Sequence, residues 1–486
     1  GPGTLVTAAF IGPGTVTVCT LAGVRSGYML LWALLFSVIA TLILQEMTGR
    51  LGIVSRRGFG EAIRGQLTNP VARVAGILLV LSAIVVGNVA YEGGNISGAV
   101  LGWEEVFGSW NWTVGESGVG SAEVTGTADL TVRIPALLIG LIAFLLLYHG
   151  SFQRILFVMT ALVGVMSLVF VTTAVVISPD LSAVMKGLLI PRATSAEFLT
   201  VIALIGTTVV PYNLFLHASM VQGRYTDPIQ LSDMRKENAA GILMGGLISI
   251  AIVITSATAE TLTHQPVQNA SDMARQLEPL LGGWAKSFMG IGLFAAGITS
   301  AVTAPLAAAY AARGLLGWEE KEKKAEMNGS EGVVEGASKG AVEGSVENAV
   351  EGSVENAVEG AAKGAVENAV ENAVEGAAKG AVEVAAQSTT QTSSFENPRF
   401  RAVWMTVLGA GILFSSLSYN PVRLIEFAQV ANGITLPVIA AFLLYIMNQP
   451  TLMGEYRNSL RGNVAGLAVI LVTILISFRI LRGVFL

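Results

Sequence analysis

The chain has 486 residues, 52% hydrophobic and only 13% charged, where a soluble domain carries about a quarter charged residues. This excludes an ordinary soluble enzyme or binding module and predicts an all-α polytopic membrane protein. The net charge of -5 says little about partners because much of the acid sits in one insertion. The single cysteine, Cys19, excludes an intrachain disulfide framework or a thiolate metal cluster.

A crossing needs about twenty apolar residues. Eleven stretches meet that need, near residues 4–22, 27–48, 72–101, 131–149, 153–178, 198–220, 238–259, 284–311, 402–418, 421–446 and 463–483. The chain begins without Met, on residues already apolar, and no basic n-region of a signal peptide precedes them, so the native N-terminus is expected to lie further upstream. The first stretch is interrupted by Phe10-Ile11-Gly12-Pro13-Gly14-Thr15. Glycine frees the backbone and proline removes a donor, so the helix is expected to unwind there or, in the blander reading, to kink. Unpaired backbone at membrane depth is tolerated only where protein or a water-filled cavity covers it.

The loops after the second, sixth and tenth spans carry Arg50, Arg56, Arg57 and Arg64, then Arg224, Arg235 and Lys236, then Arg457 and Arg461. The alternate loop from Glu104 to Asp129 is acidic to neutral. The positive-inside rule therefore places the N-terminus in the cytoplasm and the C-terminus outside, in a plasma (inner) membrane. Arg479 and Arg482 argue the other way, against several internal loops. The predicted organisation is spans one to eight in 1–317, a low-complexity cytoplasmic insertion in 318–397, and spans nine to eleven in 398–486. The insertion repeats a four-residue unit, Gly340-Ala341-Val342-Glu343, Gly344-Ser345-Val346-Glu347, and so on to Glu383. Its glycines and its lack of large aliphatics predict a disordered or weakly helical linker, with a partner-binding helix as the alternative.

The sixth span reads Gly206-Thr207-Thr208-Val209-Val210-Pro211-Tyr212-Asn213 through its middle, a second break among polar residues. Breaks five spans apart are the spacing of two five-helix repeats, each opening on a broken helix, and such pairs point to a transporter's binding site. An ion channel and a purely structural membrane protein are the rivals. There is no Gly-x-x-x-x-Gly-Lys-Ser/Thr signature and no Ser/His/Asp or zinc-spaced constellation. His149, His217 and His264 fall in different regions. The expectation is no enzyme, no nucleotide, no nucleic acid and no cofactor. The partners expected are membrane lipid and a small ion or small polar solute.

With these residues in view the chain resembles the Nramp family of divalent-metal/proton symporters, over nearly all its length apart from the insertion. The likeness rests on the two breaks and on Gln45-Glu46-Met47-Thr48-Gly49-Arg50-Leu51-Gly52-Ile53-Val54, Lys186-Gly187-Leu188-Leu189-Ile190-Pro191 and Asn213-Leu214-Phe215-Leu216-His217. It continues through Gly292-Leu293-Phe294-Ala295-Ala296-Gly297-Ile298-Thr299-Ser300, Gln429-Val430-Ala431-Asn432, Leu436-Pro437 and Leu452-Met453-Gly454. The resemblance implies a LeuT-type fold of two inverted five-helix repeats plus an eleventh helix, with helices one and six broken. It also implies transport of a divalent metal ion with a coupling proton.

Several positions depart from the family pattern. Gly12 and Thr15 stand where the family's Asp-Pro-Gly-Asn has its Asp and Asn. Val210 and Tyr212 stand where its Met-Pro-His has Met and His. In the third span Asn88 and Tyr91 stand at the family's Asp-x-x-Glu, with Glu92 one residue on. A carboxylate with a thioether selects Mn²⁺ or Fe²⁺ over hard ions, and Val210 offers no thioether. The substrate-lining set expected here is Gly12, Thr15, Thr207, Val210, Tyr212 and Gln429. Of these, Gly12, Thr15, Thr207, Tyr212 and Gln429 are the candidate metal contacts, through neutral oxygen. Such a set suits a hydrated Mg²⁺, a monovalent cation or the polar head of an organic solute. Asn88, Glu92 and His217 are the candidates for a proton or ion path. The rival reading places Glu92 near the outer end of its span and His217 in packing. Glu46 beside Arg50 reads as a structural ion pair at an inner gate. The functional expectation is alternating-access transport of a metal cation with Mn²⁺/Fe²⁺ selectivity lost. The alternatives are a LeuT-fold carrier of a monovalent ion, an amino acid or another small polar solute, and a non-transporting membrane sensor.

Overall fold

The spans start where the sequence supplies both a cap and a proline. Asn69-Pro70, Asn397-Pro398 and Asn420-Pro421 open the third, ninth and tenth spans, and in each the Asn side chain accepts from a backbone N–H of the first turn: Val71 and Ala72, Arg399, and Arg423. Asparagine satisfies a helix's orphan donors and proline sits at the first position, where no donor is needed. Within the apolar runs the backbone must bond to itself, so each run is a helix.

A computed structural model of the chain describes residues 11–114, 130–149, 153–225, 227–263, 267–318, 397–417 and 420–485. Eleven spans follow in the predicted order: Pro13–Ser26, Leu31–Ser55, Pro70–Phe107, Ile134–His149, Gln153–Val176, the broken pair Phe198–Thr208 and Pro211–Arg224, Leu231–Thr263, Ala285–Leu316, Pro398–Leu417, Pro421–Met447 and Leu460–Phe485. Among the described residues nine are long and apolar enough to cross a membrane. The other two are the short fourth span and the first, whose described part begins at its break.

Several elements depart from the predicted run of spans. Short helices Phe59–Gln66 and Leu181–Leu189 lie between spans, and Ala270–Ala274 and Glu278–Leu281 lie before the eighth. A two-stranded antiparallel hairpin pairs Asn111–Val114 with Leu130–Arg133, in register Asn111 with Arg133. The repeat insertion, most of the loop between Glu104 and Asp129, Phe10 and His264 lie outside the described residues.

The third span packs on the eighth, ninth and tenth, the tenth on the sixth, and the first on the sixth and seventh. Small residues let these helices approach, Ala99 and Gly102 of the third span meeting Gly297 and Gly290 of the eighth. The two breaks are thereby enclosed by the third, eighth and tenth spans.

Candidate functional site

Both breaks are built alike. At the first, Gly12 is extended (φ -91°, ψ 175°) and Pro13 starts a 14-residue half-helix. At the sixth, Val210 is extended (φ -80°, ψ 119°) and Pro211 starts another of 14 residues. Each half-helix carries in its last turn an arginine held by a glutamate. Arg25 makes a two-pronged pair with Glu426 of the tenth span, and Arg224 lies 3.4 Å from Glu237 of the seventh. Arginine in a last turn also complements the helix dipole.

Proline at 211 has a second consequence. The N–H that would close the helical bond to the Thr207 carbonyl belongs to residue 211, and proline has none. Val209 and Val210 have already left the helical region, so the half-helix Phe198–Thr208 ends with the Thr207 carbonyl lacking a helical donor, at the negative end of its dipole, and Pro211 brings no N–H to continue it.

Side chains join the breaks. Thr15 Oγ1 and Thr207 Oγ1 lie 3.0 Å apart, both buried. Gln429 enters between them from the tenth span: a Cβ built on Gly14 would lie 2.3 Å from Gln429 Nε2 and 3.2 Å from Thr207 Oγ1. Glycine at 14 is what leaves the amide its room. Gln429 Oε1 is buried and has no hydrogen-bond partner among the described residues, an orphaned acceptor that a cation or its water would satisfy. The Gly12 carbonyl accepts from the N–H groups of Thr15 and Val16 at 3.1 and 3.3 Å, so it is already engaged in the first helical turn. Val210 and Tyr212 cluster with Tyr91, Ala304 and Ala307, and the Tyr91 and Tyr212 rings meet edge to face at 5.4 Å. Val210 thus stands as apolar wall.

The three path candidates are dispersed. Asn88 is buried and spends its amide N–H on the Ile84 carbonyl, 2.8 Å away, leaving its oxygen without a partner among the described residues. Glu92 is wholly buried within the third span rather than at its outer end. It receives a bond from Asn95 Nδ2 at 3.3 Å and presses on Gly411 of the ninth span. That face is not the one that meets Gly12. His217 packs on the second span, with Nδ1 3.2 Å from Thr48 Oγ1.

Two residues outside the site set expected from the sequence stand at the first break: Tyr91, at one of the family's acidic positions, and Ser300. A Cβ on Gly12 would lie 3.2 Å from Ser300 Oγ and 3.6 Å from the Tyr91 hydroxyl. Both belong to motifs visible in the sequence, but neither carries the charge that draws attention to an intramembrane residue. Among the described residues no three His, Cys, Asp or Glu side chains converge as a metal site.

Ion pairs and hydrogen bonds gather the loops at one end of the bundle. Glu46 holds Arg50 at 3.0 Å and Arg235 at 2.7 Å, and Arg50 also donates to the Tyr456 carbonyl and to Asn458 Oδ1. The loops after the second, sixth and tenth spans therefore meet at one end. Tyr225, between the sixth and seventh spans, donates to Glu237 Oε2 at 2.5 Å, and burial with that carboxylate pushes its hydroxyl above the ordinary tyrosine pKa.

Paired broken spans, tied to one another and to the tenth, define a multi-pass membrane protein of LeuT-type fold. The chain matches the family described as natural resistance-associated macrophage protein-like over residues 3–330 and 374–482. It belongs to the Nramp family. It is 27% identical over 323 residues to the divalent metal cation transporter MntH of Verminephrobacter eiseniae, covering 65% of this chain and 68% of that one. It is 28% identical over 332 residues to the metal transporter Nramp5 of Oryza sativa subsp. japonica, covering 65% and 57%. A crystal structure of a mutant Eremococcus coleocola manganese transporter shares the fold with a TM-score of 0.59 at 18% identity, over 98% of this chain and 84% of that one.

Proposed function

We propose that this protein is a secondary transporter that moves a metal cation across the membrane by alternating access, through a charge-neutral oxygen site between the breaks of spans one and six. The observation that carries the reading is the junction of Thr15, Thr207 and Gln429, where the start of one half-helix, the end of another with a carbonyl lacking its helical donor, and an orphaned amide oxygen converge. The relatives named as divalent metal cation transporters support the cargo class.

The donors favour a hard cation that keeps water. Hydroxyl, amide and carbonyl oxygens suit Mg²⁺, which dehydrates reluctantly and is commonly bound with several waters. With Val210 in place of a thioether and Gly12 in place of a carboxylate, nothing in the set selects Mn²⁺ or Fe²⁺. Thr15, Thr207, Tyr212 and Gln429 are the proposed contacts, Val210 the wall, and Gly12 the residue whose missing side chain leaves the site neutral. Asn88, Glu92 and His217 are the candidates for a coupled proton. The basic loops gathered at one end support a cytoplasmic N-terminus in a plasma (inner) membrane. Residues 331–373, unmatched by the family, support a separate insertion within 318–397.

The test is uptake by purified protein in liposomes, across Mg²⁺, Mn²⁺, Ca²⁺ and monovalent ions, with and without a pH gradient. Mg²⁺ uptake exceeding Mn²⁺ uptake is the expected result. Movement of amino acids or other organic solutes with no cation flux would overturn it. In a Gly12→Asp, Val210→Met protein, calorimetry should detect Mn²⁺ binding that the parent lacks.

A further inference from the structure

Gly12 brings no side chain to the site, and its carbonyl is taken up by the N–H groups of Thr15 and Val16. The space beside its Cα is nonetheless lined with oxygen, brought by two other spans. Ser300 Oγ would lie 3.2 Å, and the Tyr91 hydroxyl 3.6 Å, from a Cβ at position 12. We infer that Tyr91 and Ser300 are specificity-determining residues of this site, their hydroxyls supplying from the third and eighth spans the oxygens that a residue-12 side chain would otherwise bring. This rests on the site proposed above.

Three features support the assignment. Tyr91 is buried, and its ring is fixed edge-on to Tyr212, which stands at the sixth break, so its hydroxyl is positioned by packing. Ser300 shares a face of the eighth span with Ala304 and Ala307, four and seven residues on, and both of those pack in the cluster of Val210 and Tyr212. That face therefore looks onto both breaks. The chemistry is also consistent: tyrosine and serine hydroxyls donate and accept without charge. With Thr15 and Thr207 they make a neutral surround that can accept from a cation's water shell or bind the cation through a lone pair. A carboxylate at position 12 would bring oxygen to the same space together with a charge.

The test uses full-length protein in liposomes, with Mg²⁺ as the probe and KM and maximal flux read separately. Tyr91→Phe keeps the ring and Ser300→Ala keeps nearly the whole volume, so each removes an oxygen with little change in packing. Each should raise KM for Mg²⁺ about tenfold, the size of one lost hydrogen bond of the stronger kind, with an unchanged thermal midpoint. Adding Gly12→Asp to the Tyr91→Phe, Ser300→Ala pair should restore uptake, since a carboxylate returns oxygen to the same space. A merely structural role would not give that rescue. If the parent transports Mg²⁺ and both single variants keep its KM, or if Gly12→Asp fails to rescue, the assignment is overturned and the proposed function stands. If the parent moves no cation, the proposed function falls and this inference with it. Ser300→Ala decides the question alone should Tyr91→Phe fold poorly.

Discussion

At the first break the helix start is flanked by glycines, Gly12 and Gly14; at the sixth, two valines, Val209 and Val210, precede Pro211. The backbones are nonetheless alike: an extended residue, a proline at the first helical position, fourteen helical residues and an arginine held by a glutamate. What differs is what each break gives the site. The first gives room, for Gln429 beside Gly14 and for Ser300 and Tyr91 beside Gly12. The sixth gives a buried backbone acceptor, the Thr207 carbonyl, which the helix end leaves without a helical donor. One architecture used twice thus provides space on one side and, in the site proposed above, ligand on the other. The hydroxyls of Thr15 and Thr207 join the two.

The largest test of this division compares two glycines. A Cβ at Gly206 would lie 1.9 Å from the Gln429 carbonyl, a backbone atom that cannot swing aside. Gly206→Ala should cost about 1–3 kcal/mol or more in stability, read as a lower thermal midpoint and less monodisperse protein. A Cβ at Gly14 meets side-chain ends only, the Gln429 amide at 2.3 Å and Thr207 Oγ1 at 3.2 Å. Gly14→Ala should leave the midpoint nearly unchanged and suppress uptake by displacing the amide. Equal destabilisation by both would break the comparison.

Next in size is Pro211→Ala, which restores the N–H that a continuous helix would direct at the Thr207 carbonyl. If that carbonyl faces cargo, cation uptake should fall about tenfold, the worth of one hydrogen bond of the stronger kind. Unchanged uptake would remove the sixth break's distinctive contribution. A double-mutant cycle on Thr15→Val and Thr207→Val should then give a coupling of about 1 kcal/mol in thermal stability; additive effects would mean the two breaks are not joined there. The smallest effect belongs to the far end of the first half-helix. Arg25→Ala should cost at most about 1 kcal/mol, because the arginine is nearly half exposed. Melting in 1 M salt should shrink the difference, since exposed charge is screened.

Much of this architecture was open to reading before any coordinates. Asn-Pro steps mark three helix starts, Gly-Pro-Gly and Val-Val-Pro mark the two breaks, and Gly12 stands where the family's pattern has an Asp. Glu92 shows where such reading stops. It is the third span's most conspicuous intramembrane acid, and the structure turns it toward Asn95 and Gly411. Its neighbour Tyr91 faces Gly12 and Tyr212 instead. Consecutive residues on a helix differ by about 100° in direction, so the choice between them depends on which neighbours the helix meets.

The sequence by itself determined the class of protein, the order of its spans and the position of its breaks. These follow from local causes: a lipid-buried backbone must bond to itself, and proline and glycine interrupt that bonding wherever they stand. The tertiary structure alone decided which side chains share the site. Gln429 lies more than four hundred residues from Gly14, and Ser300 nearly three hundred from Gly12. They meet because the third, eighth and tenth spans close on the breaks through small residues, and no local pattern in the chain encodes the angle at which they do so.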